Sequence, residues 1–232
     1  MPSPSSLELM QHHARALYIH DQQGQIVAIN QWDGGSVPRF FLGRTKAGNV
    51  WRFRADLPND LVSELTALCL AETGNILQEP QNKDKYLQLL AAQEEVKQLW
   101  QGPVYWCSQP IMPSTSPTAI TEANAYLLEG GFEPWLPDVP HRQPFIIAIQ
   151  NDHAVSVCAS VRITDTAHEA GIETLPPYRR KGHAANAVAG WTQTLLEKNI
   201  IPLYSTSWEN TASQSVAKKV GFSLFGTDFH IT

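Results

Sequence analysis

The chain has few cysteines and no cluster of metal-binding residues. Its three cysteines, Cys69, Cys107 and Cys158, lie far apart and are odd in number, so we expect reduced core residues and not a disulfide scaffold. Neither the cysteines nor the eight histidines show the spacing of a metal-ligand set. We therefore predict no metal site.

The chain also lacks net positive charge, since 17 lysines and arginines stand against 22 aspartates and glutamates. The formal net charge of -5 makes nucleic acid a poor partner. No apolar run approaches the twenty or so residues that a membrane helix needs, and residues 1–6 lack the basic start and apolar stretch of a signal peptide. We expect a cytoplasmic globular protein without a membrane partner, in one large domain or two small ones.

A short basic turn, Arg179–Ala184, stands out in this acidic chain. It reads Arg-Arg-Lys-Gly-His-Ala and lies between a strand-like run that ends at Leu175 and a helical run that starts at Ala184. The first N–H groups of a helix lack internal partners and carry partial positive charge, so this place favours an anion such as phosphate. Gly182 has no Cβ and lets the backbone approach the ligand closely. The simpler alternative is a solvated basic turn.

A second motif follows in the segment 208–222. Asn210 is a good N-cap, apolar residues then repeat at helical spacing, and Gly221 is placed to end the helix. The run 200–207 between the two helices is rich in β-forming residues. The predicted order is strand, phosphate turn, helix, strand, helix, strand.

This order and the two motifs resemble the GCN5-related N-acetyltransferase (GNAT) superfamily. In that family the pattern [Gln/Arg]-x-x-Gly-x-[Gly/Ala] binds the pyrophosphate of acetyl-CoA, and the resemblance places Arg179, Gly182 and Ala184 at its fixed positions. Asn210-x-x-Ser213, followed by Val-Gly-Phe, resembles the next family motif, in which the Asn and its helix start approach the pantetheine arm. The resemblance covers residues 145–232.

The resemblance implies a set of cofactor-binding residues along these two motifs. They are Thr174, Leu175, Arg179, Arg180, Lys181, Gly182, His183, Ala184, Asn210 and Ser213. For His183 two interpretations remain, a contact to phosphate or an exposed side chain. Acetyl-CoA is the implied cosubstrate, and no metal is implied.

Candidate bases lie on the strand before the turn. A strand over 168–175 places Glu169 and Glu173 on one face, because side chains alternate. An acceptor amine with a pKa of about 10 is mostly protonated at neutral pH and must lose a proton before it attacks a thioester. In several family members a Glu on this strand takes that proton. We prefer Glu173, which is nearer the turn, and keep Glu169 as the alternative; for each, a structural carboxylate is the simpler interpretation.

One position departs from the family. Many members carry a Tyr four residues before the Gly of the Gly-Phe pair, where it protonates the leaving thiolate, and this chain has Ala217 there. Tyr204 is the substitute that we consider, with Ser205 and Ser207 as weaker ones. The alternatives are a core Tyr204 and protonation of the thiolate by solvent.

The first half of the chain carries no recognisable site. Its patterns predict a helix over 7–13, hairpins over 17–29 and 39–54, a helix from Pro58 and a helix around 86–93. The stretch 43–48 resembles a phosphate loop but reads better as a hairpin turn, because no helix follows it. The segment 110–117 has the composition of a linker, so we predict domains at 1–112 and 118–232. The first is expected to cover the acceptor side.

The sequence thus predicts an α+β protein. Its C-terminal part is a GNAT-like mixed, mostly antiparallel twisted sheet flanked by helices, preceded by a smaller α+β domain. The resemblance implies an N-acetyltransferase that moves acetyl from acetyl-CoA to an amine by direct transfer in a ternary complex. We favour a small molecule as the amine. Trp135 and Trp208 are expected to flank the cleft, and a homodimer is one conceivable assembly. The alternative is a non-catalytic acyl-CoA-binding sensor with a degenerate site, for which Ala217 is the clue.

Overall fold

The computed structural model describes residues 3–73, 75–111 and 116–232. The five α-helices are α1 (Ser6–Leu17), α2 (Asn59–Leu70), α3 (Lys83–Ala91), α4 (His183–Glu197) and α5 (Thr211–Val220). The eleven strands of these ranges are β1 (Tyr18–His20), β2 (Ile26–Ile29), β3 (Phe40–Thr45), β4 (Gly48–Phe53), β5 (Leu99–Trp106), β6 (Thr118–Ala119), β7 (Phe145–Gln150), β8 (His153–Ile163), β9 (Ala167–Thr174), β10 (Ile201–Ser205) and β11 (Ser223–Ile231). Short 3₁₀ segments cover Glu122–Leu128, Glu133–Asp138 and Pro176–Tyr178.

The chain forms two compact units, each of which is built from more than one segment. The first contains the chain up to Val104 together with 205–209 and 224–232, and the second contains 105–204 and 210–223. The domain bounds expected from the sequence, 1–112 and 118–232, stay a prediction, as does the role of the first domain on the acceptor side. Within the predicted linker 110–117, residues 112–115 lie outside the described residues.

In the first unit the strands follow the order β4-β3-β11-β5, and β1 pairs with β2 in a separate hairpin. The β3–β4 hairpin pairs Phe40 with Phe53 and closes at Thr45 and Gly48, which confirms that the stretch 43–48 is a hairpin turn. Helices α2 and α3 cover this sheet with buried apolar side chains. The cluster contains Phe40, Leu42, Phe53, Leu57, Leu61, Leu65, Cys69, Tyr86, Leu90, Phe229 and Ile231.

In the second unit the strands follow the order β6-β7-β8-β9-β10. The predicted β7–β8 hairpin is confirmed, and both turn residues, Asn151 and Asp152, have positive φ (53° and 62°), as the tightest hairpin turns require. β9 is antiparallel to β8, whereas β10 is parallel to β9. Helix α4 buries Trp191 and Leu195 against this sheet. The expected α+β class with a mixed, mostly antiparallel sheet is confirmed.

Several elements differ from the sequence-based expectation. Helix α1 extends to Leu17, beyond the predicted 7–13, and begins with a capping box in which Ser5 and Glu8 bond reciprocally. Strand β5 has no counterpart in the prediction. The three cysteines are free and buried, as expected. Within the described ranges, no helix combines the length and apolar character needed to cross a membrane.

Candidate active site

The basic turn adopts the backbone conformation that an anion site at a helix start requires. After the 3₁₀ segment at 176–178 the chain is extended at Arg179 (φ -64°), left-handed at Arg180 (φ 62°) and left-handed again at Gly182 (φ 92°). Helix α4 then starts at His183, and the N–H of Asn186 donates to the carbonyl of Gly182 at 3.1 Å. The N–H groups of residues 183–185 precede that first intrahelical donor and point out of the helix end. Glycine meets the left-handed geometry without strain.

This turn opens onto a cleft of about 860 Å³ that lies wholly within the second unit. The end of β9, the turn, the start of α4 and one face of α5 form its walls. The cleft brings together most of the residues expected at the site, namely Glu173, Thr174, Arg179, Arg180, Gly182, His183, Ala184, Tyr204, Asn210 and Ser213. Glu169, Leu175 and Lys181 are not among its lining residues.

The cleft exists because β9 continues after β10 has stopped pairing with it. β10 pairs with β9 from Ile201 and Ala167 to Leu203 and Glu169. On its other side, β8 remains paired with β9 as far as Thr174. Residues 170–174 of β9 therefore extend beyond the pairing with β10, and residues 172–174 among them line the cleft. Peptide-like amides bind well to such a strand edge.

The start of α5 forms the wall opposite the turn. Asn210 Oδ1 accepts the N–H of Ser213 at 3.0 Å, which confirms Asn210 as the N-cap. Tyr204 is buried; its hydroxyl donates to the carbonyl of Ser213 at 3.1 Å and lies 2.8 Å from Ser213 Oγ. Burial raises the pKa of the Tyr204 hydroxyl, so the phenol keeps its proton at neutral pH.

The two candidate carboxylates lie in different surroundings. Glu173 is exposed, lines the cleft, and accepts a hydrogen bond from Trp135 Nε1 at 2.6 Å. Glu169 is 2% exposed and lies where β9 is still paired with β10. Of these two carboxylates Glu173 lines the cleft and Glu169 does not; the role of either as a base stays a prediction.

Sequence reasoning missed one cation of the cleft. Lys219 lines it from the third turn of α5, and its Nζ lies 3.6 Å from the position that a Cβ on Gly182 would occupy. Ala212, Val216 and Lys219 lie on one face of α5 at spacings of four and three residues. That periodicity, counted from the predicted N-cap, is the signal that could have identified Lys219.

Two further side chains of the turn, those of Lys181 and His183, pack on Tyr178. Lys181 Nζ lies 5.4 Å from the ring centre of Tyr178, and the ring of His183 meets the same tyrosine edge-on at 6.1 Å. Burial and the neighbouring Lys181 lower the pKa of His183, so its imidazole is neutral at neutral pH. Leu175 packs against the apolar core of the second unit.

The position of the usual family tyrosine faces the protein interior. Ala217 is fully buried, and its carbonyl accepts the N–H of Phe222 at 3.0 Å. Gly221 ends the helix in the left-handed conformation (φ 98°), as predicted. Ala217 offers no proton donor, whereas two tyrosines, Tyr178 and Tyr204, line the cleft.

Comparison with known proteins finds a family model that matches part of the chain. Residues 145–227 match the sequence model of the GNAT acetyltransferase family. No curated protein sequence matches the chain. Among solved structures, it is similar to a GCN5-related N-acetyltransferase from Kribbella flavida (16% identity, 62% of each chain covered, TM-score 0.46).

Two further structures align over nearly the whole chain. They are an acetyltransferase of the GNAT family from Colwellia psychrerythraea (14% identity, 99% of this chain and 98% of that chain, TM-score 0.48) and a GCN5-related N-acetyltransferase-like protein from Streptococcus suis (12% identity, 97% and 100%, TM-score 0.49). By contrast, the chain spans less than two thirds of the length of the Kribbella protein.

Proposed function

We propose that this chain, whose residues 145–227 match the model of the GNAT acetyltransferase family, is an N-acetyltransferase that moves acetyl from acetyl-CoA to an amine in a ternary complex. One observation carries the proposal. The helix start at Gly182 and the carboxylate of Glu173 line the same cleft, so a bound phosphate group and a proton acceptor share one ligand-sized space.

The cleft suits the chemistry of acetyl-CoA. The N–H groups at the start of α4 and the cations of Arg180 and Lys219 favour a diphosphate. The edge of β9 at 170–174 offers backbone groups to the two amides of the pantetheine arm. Arg179 Nε donates to the carbonyl of Thr174 at 3.1 Å and so ties the turn to the end of β9. An extended CoA could thus run from α4 along β9 towards Glu173.

The transfer itself needs one proton acceptor and one proton donor. Glu173 takes a proton from the acceptor ammonium, and the amine nitrogen then attacks the thioester carbonyl carbon. The carbon–sulfur bond breaks, the second nitrogen proton is lost, and the CoA thiolate leaves and is protonated. The products are the N-acetyl compound, CoA and one released proton. Because Glu173 is exposed, it can pass its proton to solvent.

Tyr204 is our candidate for the proton donor to the thiolate. Its hydroxyl lines the cleft and is protonated at neutral pH. When it donates to the leaving sulfur, Ser213 Oγ at 2.8 Å can return a hydrogen bond to the phenolate oxygen. The start of α5 lies beside it and favours a transient negative charge.

The acceptor that we propose is a small molecule with a primary amine. A cationic amine is attracted by the carboxylate of Glu173 at the open end of the cleft. The net charge of -5 disfavours nucleic acid. The acceptor's further structure is left to the assay below.

Release of the CoA thiol from acetyl-CoA tests the proposal. The protein is incubated with acetyl-CoA and a panel that contains an aminoglycoside, a free amino acid and a short peptide with a free N-terminus. We expect amine-dependent thiol release and an acetylated product by mass spectrometry. Glu173→Gln should keep CoA affinity within about twofold and lower kcat at least about a hundredfold, the usual value of a general base.

Glu197→Gln is the matched control. This carboxylate lies at the end of α4, bonds to Gln193 and does not line the cleft, so its removal should leave kcat unchanged. Full activity of Glu173→Gln would move the base to Glu169 or to water.

The second candidate function is a non-catalytic acyl-CoA sensor. The buried Ala217 favours it, because the usual proton donor is missing there. Submicromolar binding of acetyl-CoA in calorimetry, together with no thiol release from any amine of the panel, would support the sensor over the enzyme.

A further inference from the structure

The carboxylate of Glu173 is held by one side chain from a different part of the second unit. Trp135 Nε1 donates to Glu173 Oε2 at 2.6 Å, across 38 positions of sequence. Glu173 is otherwise an exposed side chain near the end of β9, and a free glutamate at such a place samples several rotamers. The bond to the indole selects one of them.

The indole of Trp135 contacts two other side chains, and its backbone is held as well. Its ring meets Phe145 edge-on at 5.6 Å, and the guanidinium of Arg142 lies 5.5 Å from the ring centre. Arg142 is held by an ion pair with Asp138 at 3.1 Å. The backbone N–H of Trp135 donates to the carbonyl of Phe132 at 2.9 Å.

The backbone of Glu173 is equally well fixed. Glu173 pairs with Val157 of β8, and its backbone carbonyl accepts a hydrogen bond from the hydroxyl of Ser156 at 3.0 Å. Both ends of the Trp135–Glu173 bond are therefore anchored, so the bond determines where the carboxylate lies in the cleft. Oε2 accepts the indole N–H, and Oε1 accepts no hydrogen bond within the described residues.

We propose that Trp135 is a positioning residue for acetyl transfer: it holds Glu173 in the rotamer that presents Oε1 to the acceptor amine. This inference rests on the proposed function. It also gives the 3₁₀ segment at 133–138 a role in the reaction, since that segment carries both Trp135 and the partner of Arg142.

A double-mutant cycle tests this role, with acetyl-CoA and the best amine of the panel as substrates. Trp135→Phe removes the indole N–H and keeps an aromatic ring against Phe145. We expect kcat to fall about tenfold, because a proton acceptor that samples several rotamers is productive only part of the time. The KM for acetyl-CoA should stay within about twofold. Trp135→Met, which fills the space with a flexible side chain, should lower kcat by a similar factor.

The decisive measurement is the same substitution in the Glu173→Gln background. If Trp135 acts through Glu173, Trp135→Phe should change kcat of that variant by less than about twofold, since coupled residues are not additive. A loss of similar size in both backgrounds would show a general packing effect and overturn the proposal. Trp100→Phe, in the first unit, controls for the cost of removing any partly buried indole.

The outcomes separate the two proposals. If wild-type protein releases thiol, Glu173→Gln is impaired and Trp135→Phe is fully active, only the positioning role fails. If Glu173→Gln is as active as wild type, or wild type releases no thiol with any amine, the base assignment or the enzyme proposal fails, and the role of Trp135 fails with it.

Discussion

Replacing Lys219 with methionine should weaken CoA binding and leave the ligand-free protein more stable than the same replacement of the neighbouring Lys218. Lys219 Nζ lies beside Gly182, where the positive end of α4 and the side chains of Arg179 and Arg180 also line the cleft. In the described part of the chain, neither Lys219 nor Arg180 forms an ion pair with a carboxylate. This accumulation of positive charge is unfavourable until an anion binds.

The magnitude follows from the geometry. A unit charge about 4 Å from a phosphate oxygen gains about 1 kcal/mol in water and about 4 kcal/mol at a typical protein-surface dielectric. Lys219 is exposed, so the lower value applies, and the dissociation constant for CoA should rise about fivefold. Without ligand, relief of the repulsion from the start of α4 should make the free energy of unfolding about 0.3–1 kcal/mol higher than that of Lys218→Met, which also loses a lysine from the last turn of α5.

Calorimetric titration with CoA and thermal unfolding without ligand measure the two effects. Lys218→Met is the matched control, because Lys218 is the neighbouring exposed lysine on α5 but does not line the cleft. It should leave the affinity for CoA nearly unchanged and lose the same favourable contact with the carboxyl end of α5 as Lys219→Met. The difference between the two variants should shrink at high salt. Equal weakening by both substitutions would show that only the net charge matters, and a Lys219→Met protein that binds CoA like wild type would refute the reasoning.

Two further substitutions test other parts of the site, and a third tests a buried histidine outside it. Gly182→Asp should weaken CoA binding more than about tenfold by placing a negative charge at the diphosphate. The control is Gly130→Asp, at a similar φ (93°) in open space, which should bear the same backbone strain and bind CoA normally. Tyr204→Phe should lower kcat at least about tenfold, whereas Ser213→Ala should keep most activity; equal kcat for Tyr204→Phe and wild type would assign thiolate protonation to solvent. Burial, with a smaller contribution from Lys198, lowers the pKa of His168 to about 4. The stability that this neutral histidine contributes is therefore complete above pH of about 6.5 and is lost towards pH 4, so denaturant unfolding should show a fall of about 1–2 kcal/mol that His168→Gln reduces.

Local signals were sufficient to predict the parts of the site that one stretch of chain forms alone. Gly182 occupies a left-handed position at a helix start, Asn210 caps the next helix, and Gly221 ends it. Each of these residues acts on backbone within four positions of itself, so its residue type and its position in the sequence are enough to predict its local role. The alternation along β9 likewise identified Glu173 as the carboxylate nearer the turn.

Pairs that form over long distances in the sequence could not be predicted in this way. The bond from Trp135 to Glu173 depends on how the 3₁₀ segment at 133–138 packs against Phe145, which no local pattern encodes. The periodicity of α5 places Lys219 on the same face as Ala212 and Val216, but its approach to Gly182 also requires α4 and α5 to pack side by side. Strand β5 was missed because Gly102 and Pro103 interrupt its β-forming pattern.

The early end of β10 has a consequence for which ligands can enter. A strand with unused amides on one side normally recruits another strand, and on an outer surface it promotes aggregation. Here residues 172–174 of the unpaired stretch line the cleft together with helix α5. A ligand with isolated amide groups can use these backbone groups without adding a whole strand to the sheet. The unpaired edge thus lies inside a ligand-sized cleft, where a small molecule can bond to it.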